Sequence, residues 1–248
     1  MNWILLVFIF LLGTGFFIYP LAALQEIVLF GNLAKVFSLF VAASSLTSTQ
    51  NVFKTGDTPQ KAWTSLAAGM WIWFFAQVIF AFYKIVLKQS PYPSLADIFF
   101  VIAYFPLLVG VALLIKDFRS TGLPMGSKNS YLLQAASLVA FYAIIFFWKL
   151  KDLLMTNDAP FLKFLNVGYP TFDFLLIAMT SVLIRISLVL RGGSLARSWI
   201  VLGLGFTLVG IADIVFAYQP LPFLDMLFFS GYFLIGLAGI YQLRMLRQ

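Results

Sequence analysis

The residues that could do chemistry in this chain are a few acidic side chains set beside long apolar runs. They recur near the ends of predicted helices, at Glu26, Asp97, Asp173, Asp213 and Asp225. An ionisable residue at membrane depth is energetically costly and normally faces the interior of a helix bundle or a water-filled cavity. The acids therefore predict a polar pocket that could accept a cation, an amine or a proton-linked ligand.

Helix capping is the competing interpretation for three of these acids. Asp97, Asp173 and Asp225 each fall where a predicted helix begins, and a carboxylate there bonds the free N–H groups and complements the helix dipole. Asp213 falls near the end of its predicted helix, where the dipole disfavours a negative charge. Capping cannot explain it, so Asp213 is the leading candidate for a binding residue.

One basic residue belongs with these candidates. Lys35 lies midway along a predicted helix, and we expect it to pair with an acid on another helix or with carbonyls at a helix end. Arg185 lies near a predicted helix end and is expected to extend towards the interface.

Several classes of site are excluded by composition. The chain has no cysteine and no histidine, which removes disulfides, Cys/His metal sites and haem ligation by histidine. No nucleophile–base pair or nucleotide motif is visible, so we expect no enzyme, and no basic domain points to nucleic acid. The cofactor stays unknown, because aromatic residues (18% of the chain) fit interfacial belts but would also fit a bound lipid or pigment.

The same composition predicts an all-α polytopic integral membrane protein. Hydrophobic residues make up 62% and charged residues 10% of the chain, whereas soluble domains carry about 25% charged residues. Apolar runs of about 20 residues recur, each long enough to cross a bilayer. They predict eight transmembrane helices, at about 3–24, 27–46, 62–85, from the Pro93 turn to 115, 130–148, 170–190, 198–218 and 223–246. A short interfacial helix is expected near 158–165.

The sequence predicts one transmembrane domain, 1–248. Its halves lie at about 1–116 and 130–248 and are joined by a loop at 117–129. With the N-terminus inside, the inner segments carry the larger share of basic residues, Lys54, Lys61, Lys116, Arg119, Lys128, Arg191, Arg197, Arg244 and Arg247. The outer ones carry Lys84, Lys88, Lys149, Lys151 and Lys163. Both termini are therefore predicted to be cytoplasmic, and the acids to lie at the outer ends of the helices.

A short pattern repeats in the two halves. Asp97-x-x-Phe100-x-x-Ala103-Tyr104-Phe105 is echoed by Asp225-x-x-Phe228-x-x-Gly231-Tyr232-Phe233. Each copy follows a proline turn, and a weaker version opens at Tyr169; the turn prolines are Pro91, Pro93, Pro170, Pro220 and Pro222. Four helices per half would give a parallel 4+4 repeat, as some transporters show.

The phrase from Pro91 to Asp97, with the aromatic helix after it up to Gly110, resembles a family of bacterial membrane sensor regions. These regions have about eight spans and precede diguanylate cyclase, cyclic-di-GMP phosphodiesterase or histidine kinase modules. The helix from Gly203 to Tyr218 is similar to their late helices. The resemblance implies a protein of the bacterial cytoplasmic membrane. Since this sequence ends at Gln248 without an output module, it also implies signalling through a separate membrane or cytoplasmic protein.

Three hypotheses about function remain open. The first is a sensor that binds a small molecule or lipid in an outward-facing pocket. The second is a non-catalytic accessory subunit of a larger, energy-converting membrane complex. The third is a small cation- or proton-linked transporter built from two parallel halves.

Overall fold

The structure, a computed structural model, describes residues 3–21, 23–90, 92–190, 194–218 and 221–247. These residues form α-helices and no strand. The helices are α1 (Trp3–Leu21), α2 (Leu24–Gln50), α3 (Thr58–Ile85), α4 (Leu95–Ser120), α5 (Lys128–Ile145), α6 (Lys151–Leu154), α7 (Pro160–Val189), α8 (Ser194–Tyr218) and α9 (Leu224–Leu246), with a π-helical segment Phe146–Leu150 between α5 and α6.

Length and composition make this the architecture of a helical membrane protein. Within the described residues, seven helices are long and apolar enough to cross a membrane: α2, α3, α4, α5 with its π-helical extension, α7, α8 and α9. A helix satisfies its backbone hydrogen bonds internally, which is why apolar sequences of this length adopt it in a bilayer. The helix α1 is equally apolar but shorter.

Six of the long helices form a closed ring. In order around the ring, α2 packs on α3, α3 on α4, α4 on α7, α7 on α8, α8 on α9, and α9 returns to α2. The first helix lies outside the ring against α2 and α9, and α5 lies outside it against α7. Every residue of α5 keeps accessible surface, so this helix contributes little to the core.

Glycines let paired helices approach closely, and they do so in the same way in both halves. A Cβ on Gly69 of α3 would come within 3.1 Å of the Ala103 carbonyl oxygen of α4. A Cβ on Gly205 of α8 would come within 2.8 Å of the Gly231 carbonyl oxygen of α9. Small residues at such crossings are the usual means of helix association in membranes.

The two ends of the ring differ in charge. At one end, called the acidic end, α2, α4, α7 and α9 begin and α3 and α8 finish. At the other, called the basic end, lie the loops and helix termini that carry Lys54, Lys61, Lys116, Arg119, Lys128, Arg197, Arg244 and Arg247.

Several predicted boundaries are wrong by a few residues. Gln25 and Glu26 were expected to connect the first two helices, but both lie in the first turn of α2, where the Glu26 carboxylate accepts the N–H of Ala23 at 3.1 Å. The loop expected over residues 47–61 is shorter, because α2 runs to Gln50 and α3 begins at Thr58 with Pro59 in its first turn. Proline is tolerated there, since the N–H it lacks would be unpaired anyway.

The largest correction concerns α7. Neither a separate interfacial helix nor a helix start at Pro170 is present; one helix of 30 residues runs from Pro160 to Val189, with Pro170 inside it. A proline within a helix removes one hydrogen bond, but neighbouring helices can compensate in a membrane protein. Pro170 is therefore not a turn residue, whereas Pro93 and Pro222 precede helices as predicted. Pro91 and Pro220 lie outside the described residues.

Candidate functional site

Asp97 acts as a helix cap at the acidic end. Its carboxylate accepts hydrogen bonds from the N–H of Ser94 at 2.6 Å and from the Ser94 hydroxyl at 2.8 Å, which completes a capping box at the start of α4. The Tyr169 hydroxyl donates to its other oxygen at 2.8 Å. Both carboxylate oxygens thus have donors, and Asp97 ties α4 to α7.

Tyr92 adds a second link between the same two helices. It lies in the turn before α4, and its hydroxyl donates to Asn166 Oδ1 at 2.8 Å. Partial burial, and then the negative charge of Asp97, raise the pKa of the Tyr92 phenol above its usual value. The phenol therefore stays protonated as a donor throughout the neutral range.

Lys35 and Asp225 form an ion pair between α2 and α9. Their atoms Nζ and Oδ1 are 2.7 Å apart, and Lys35 is only 6% exposed. The ammonium group also lies 5.6 Å from the centre of the Phe80 ring and 5.8 Å from that of Phe228. The Asp225 carboxylate fills the space left by the missing side chain of Gly31 on α2. The structure thus supplies the acid on another helix that Lys35 was predicted to require.

An amide pair lies near this ion pair. Gln77 of α3 donates through Nε2 to Asn32 Oδ1 at 3.1 Å, and Asn32 donates to the carbonyl of Val28 at 2.8 Å. Both side chains are buried. We call Asn32, Lys35, Gln77 and Asp225 the paired group, because each of these side chains has a partner of opposite charge or complementary polarity.

Asp173 and Asp213 form a different arrangement between α7 and α8. Asp173 is 1% exposed, and its Oδ1 accepts the Tyr104 hydroxyl at 2.7 Å. Its second oxygen, Oδ2, is buried and has no donor among the described residues. The half-buried Asp213 lies within electrostatic range of Asp173. The two carboxyl groups repel each other when both are ionised, and a shared proton or a cation between them would remove that repulsion.

Aromatic rings pack around Tyr104, the residue that bonds Asp173. Tyr104 stacks on Phe172, with ring centres 5.2 Å apart, and meets Trp73 edge-on at 5.4 Å. The ring centre of Tyr232 on α9 is 5.8 Å from that of Trp73. Tyr232 is also within electrostatic range of Asp173 and Asp213. We call Tyr104, Asp173 and Asp213 the acidic group, and Trp73, Phe172 and Tyr232 its aromatic wall. Aromatic faces beside carboxylates are the usual surroundings of bound ammonium groups.

Asp213 occupies a central position at the acidic end. Its charge is within electrostatic range of Lys35 on one side and of Tyr92 and Tyr169 on the other. Lys35, however, bonds directly to Asp225, which is the one ion pair among the described residues. The acidic group therefore has no cation of its own in the part of the chain that the structure describes, and those residues contain no cluster of three potential metal ligands.

The structure separates the five predicted site residues by role. Asp173 lies in the interior of α7, so the capping interpretation is wrong for it; the cause is the continuous helix through Pro170. Asp225 lies in the first turn of α9 but bonds to Lys35. Trp73, Tyr104 and Tyr232 were not predicted to belong to a site. The repeated Tyr104-Phe105 and Tyr232-Phe233 pattern was the available signal, since both tyrosines contact Trp73.

Comparison with known proteins adds no assignment to this geometry. No family model matches the chain, and no curated protein or solved structure is significantly similar to it.

Proposed function

We propose that this protein is a non-enzymatic membrane sensor that binds a small organic cation between Asp173 and Asp213. The observation that carries the proposal is the free, buried Oδ2 of Asp173 beside a second carboxyl group. Nearly every buried polar atom in a folded protein has a partner, and an exception calls for a missing one. An ammonium group would donate to both acids and remove their repulsion.

The aromatic wall favours an amine over a bare metal ion. An ammonium or alkylammonium group gains from the faces of Trp73, Tyr104 and Tyr232, whereas a hard metal ion requires several oxygen ligands. The Tyr104 hydroxyl already donates to Asp173 and holds that carboxylate in place. The site thus suits a ligand with one positive charge and a small apolar part.

Charge distribution supports an outward-facing site. Basic residues concentrate at the basic end, and the positive-inside rule places that end in the cytoplasm. In this arrangement α1 is an eighth span, both termini are cytoplasmic, and the acidic group opens towards the outside of the bacterial cytoplasmic membrane. The matching contacts of α3 with α4 and of α8 with α9 support a parallel 4+4 repeat.

Signal transfer follows from the position of the site in the ring. The acidic group joins α4, α7 and α8, and Trp73 and Tyr232 extend its surroundings to α3 and α9. A ligand that draws Asp173 and Asp213 together would change how α7 packs on α8. The shift would reach the basic end, where a separate membrane or cytoplasmic protein would detect it.

Purification in a mild detergent, followed by native mass spectrometry, tests the proposal. We expect a monomer or dimer that carries a small amine. The emptied protein is titrated with ethanolamine and, separately, with potassium; tryptophan fluorescence should change with ethanolamine and not with potassium. The change should be lost in Asp213→Asn and in Trp73→Phe, and kept in Asp97→Asn, since Asp97 bonds Ser94 and Tyr169 and lies outside the acidic group.

Two results would replace this proposal. Recovery of the chain as a stoichiometric component of a large assembly, with no amine response, would assign it the role of an accessory subunit. Cation- or proton-coupled flux into liposomes that depends on Asp213 would assign it transport.

A further inference from the structure

A second polar site lies near the basic end of the ring, in a cleft between α5 and α7. The cleft has a volume of about 520 Å³ and lies outside the acidic group. Its lining combines polar and apolar side chains: Gln134, Ser181, Ile184, Arg185, Leu188 and Val189. The lining of the cleft is therefore amphipathic. A smaller groove of about 410 Å³ between α1 and α9 has no charged side chain in its lining.

Arg185 is the charged residue of this cleft. Its Nη1 donates to the Ser130 carbonyl at 2.9 Å and to Gln134 Oε1 at 3.2 Å, and its guanidinium lies 4.8 Å from the centre of the Tyr131 ring. Its Nε is buried and has no acceptor among the described residues. No carboxylate in that part of the chain pairs with it, since the ion pair found there is Lys35–Asp225. The guanidinium is thus held in position with its charge uncompensated.

The neighbouring groups hold the guanidinium in this orientation. Gln134 turns its amide oxygen to Arg185 because its Nε2 donates to the Ser181 hydroxyl at 2.6 Å. The Tyr131 ring is fixed by a hydrogen bond from its hydroxyl to the Met125 carbonyl at 2.6 Å. The chain thus builds a fixed guanidinium donor, and a guanidinium is the side chain best suited to bind phosphate by two parallel hydrogen bonds.

We propose that this cleft binds the phosphate group of an anionic phospholipid. The cleft lies between two helices that each have membrane-spanning length, and α5 buries none of its residues, so lipid reaches the cleft from the side. Ile184, Leu188 and Val189 suit the glycerol backbone and the first methylene groups of the acyl chains. Basic pockets between transmembrane helices on the cytoplasmic side bind anionic head groups in this manner.

The test uses the full chain, delipidated in detergent and then offered phosphatidylglycerol or phosphatidylcholine. Native mass spectrometry counts the lipids retained, and thermal unfolding measures the protection they give. We expect phosphatidylglycerol to be retained about fivefold more strongly, the preference that one cationic side chain provides. Arg185→Gln should abolish the preference. Arg197→Gln, which removes an exposed charge at the same end, should leave it unchanged.

Arg185→Lys keeps the charge but loses the planar donor geometry, and it should lower the preference while the protein stays folded. If Arg185→Gln does not fold, Arg185→Lys provides the test in its place. Equal retention of phosphatidylglycerol by the wild type and the Arg185 variants would overturn the proposal. So would equal protection by inorganic phosphate without lipid, because the cleft would then be a site for free anions.

Discussion

The paired group and the acidic group lie at the same end of one helix ring but are built on opposite principles. In the paired group, Lys35 neutralises Asp225 and the amides of Asn32 and Gln77 bond each other. In the acidic group, no cation among the described residues pairs with Asp173 or Asp213, and Asp173 Oδ2 has no donor among them. The first arrangement is complete as folded, whereas the second needs a proton or a bound cation.

Aligning the two halves makes the difference sharper. The contacts of Gly69 with Ala103 and of Gly205 with Gly231 are equivalent. Gln77 and Asp213 then lie equally far along α3 and α8 from these contacts. A neutral amide thus occupies in one half the position that an acid occupies in the other. Packing at this position in α3 thus requires no charge.

Loss of the ion-pair cation should have the largest effect on stability. Lys35→Met leaves the partly buried Asp225 carboxylate without its cation and should lower the free energy of unfolding by about 3 kcal/mol, the low end for a buried pair. The double variant Lys35→Met/Asp225→Asn removes both charges and should recover most of that loss. Unfolding in mixed detergent micelles measures both. If the double variant is as unstable as the single one, neutralising each other's charge is not the only role of Lys35 and Asp225.

Glycine substitutions should have the second-largest effect on stability, and each should perturb either the paired group or the acidic group. A Cβ on Gly31 would overlap the Asp225 carboxylate, and a Cβ on Gly210 would come within 3.1 Å of the Asp173 Cβ and 2.8 Å of the Ile177 Cδ1. Alanine at either position should cost about 1–3 kcal/mol in the free energy of unfolding. Gly168→Ala is the control, because its Cβ would make only ordinary contacts, the nearest at 3.7 Å. Equal losses of stability in all three variants would show that the loss does not come from the close contacts of Gly31 and Gly210.

Removal of one donor from the acidic group should have a smaller effect. Tyr104→Phe deletes the hydrogen bond to Asp173 and should cost about 1 kcal/mol in the free energy of unfolding. It should also weaken the binding of an amine, since Asp173 loses the group that orients it. Tyr142→Phe is the control, because the Thr171 hydroxyl that it contacts keeps its bond to the Val167 carbonyl. An unchanged amine affinity in Tyr104→Phe would remove Tyr104 from the site.

Part of this arrangement could be predicted from the sequence. The apolar runs predict the membrane helices, the Ser94-x-x-Asp97 spacing predicts the cap of α4, and the position of Asp213 near a helix end identifies it as an acid that capping cannot explain. Local rules suffice for these features because each depends on neighbours in the chain.

The remainder depends on contacts between distant helices. The proline rule predicts a helix boundary at Pro170, but the bilayer favours a continuous α7, and this places Asp173 in the ring interior. The partner of Lys35 could not be chosen from sequence, since several acids lie at a similar depth. Nor could the bond from Tyr104 to Asp173, which joins residues 69 positions apart.

The most direct test compares the wild type with Asp213→Asn, each with and without ethanolamine. Without ligand, Asp213→Asn should be as stable as the wild type or more stable, because it removes the repulsion between Asp213 and the buried Asp173. With ethanolamine at about 100 times its dissociation constant, the wild type should gain about 2.7 kcal/mol in the free energy of unfolding. The variant should gain nothing. Equal gains in both proteins, or a large loss of stability in ligand-free Asp213→Asn, would contradict the assignment of Asp213 to a cation site.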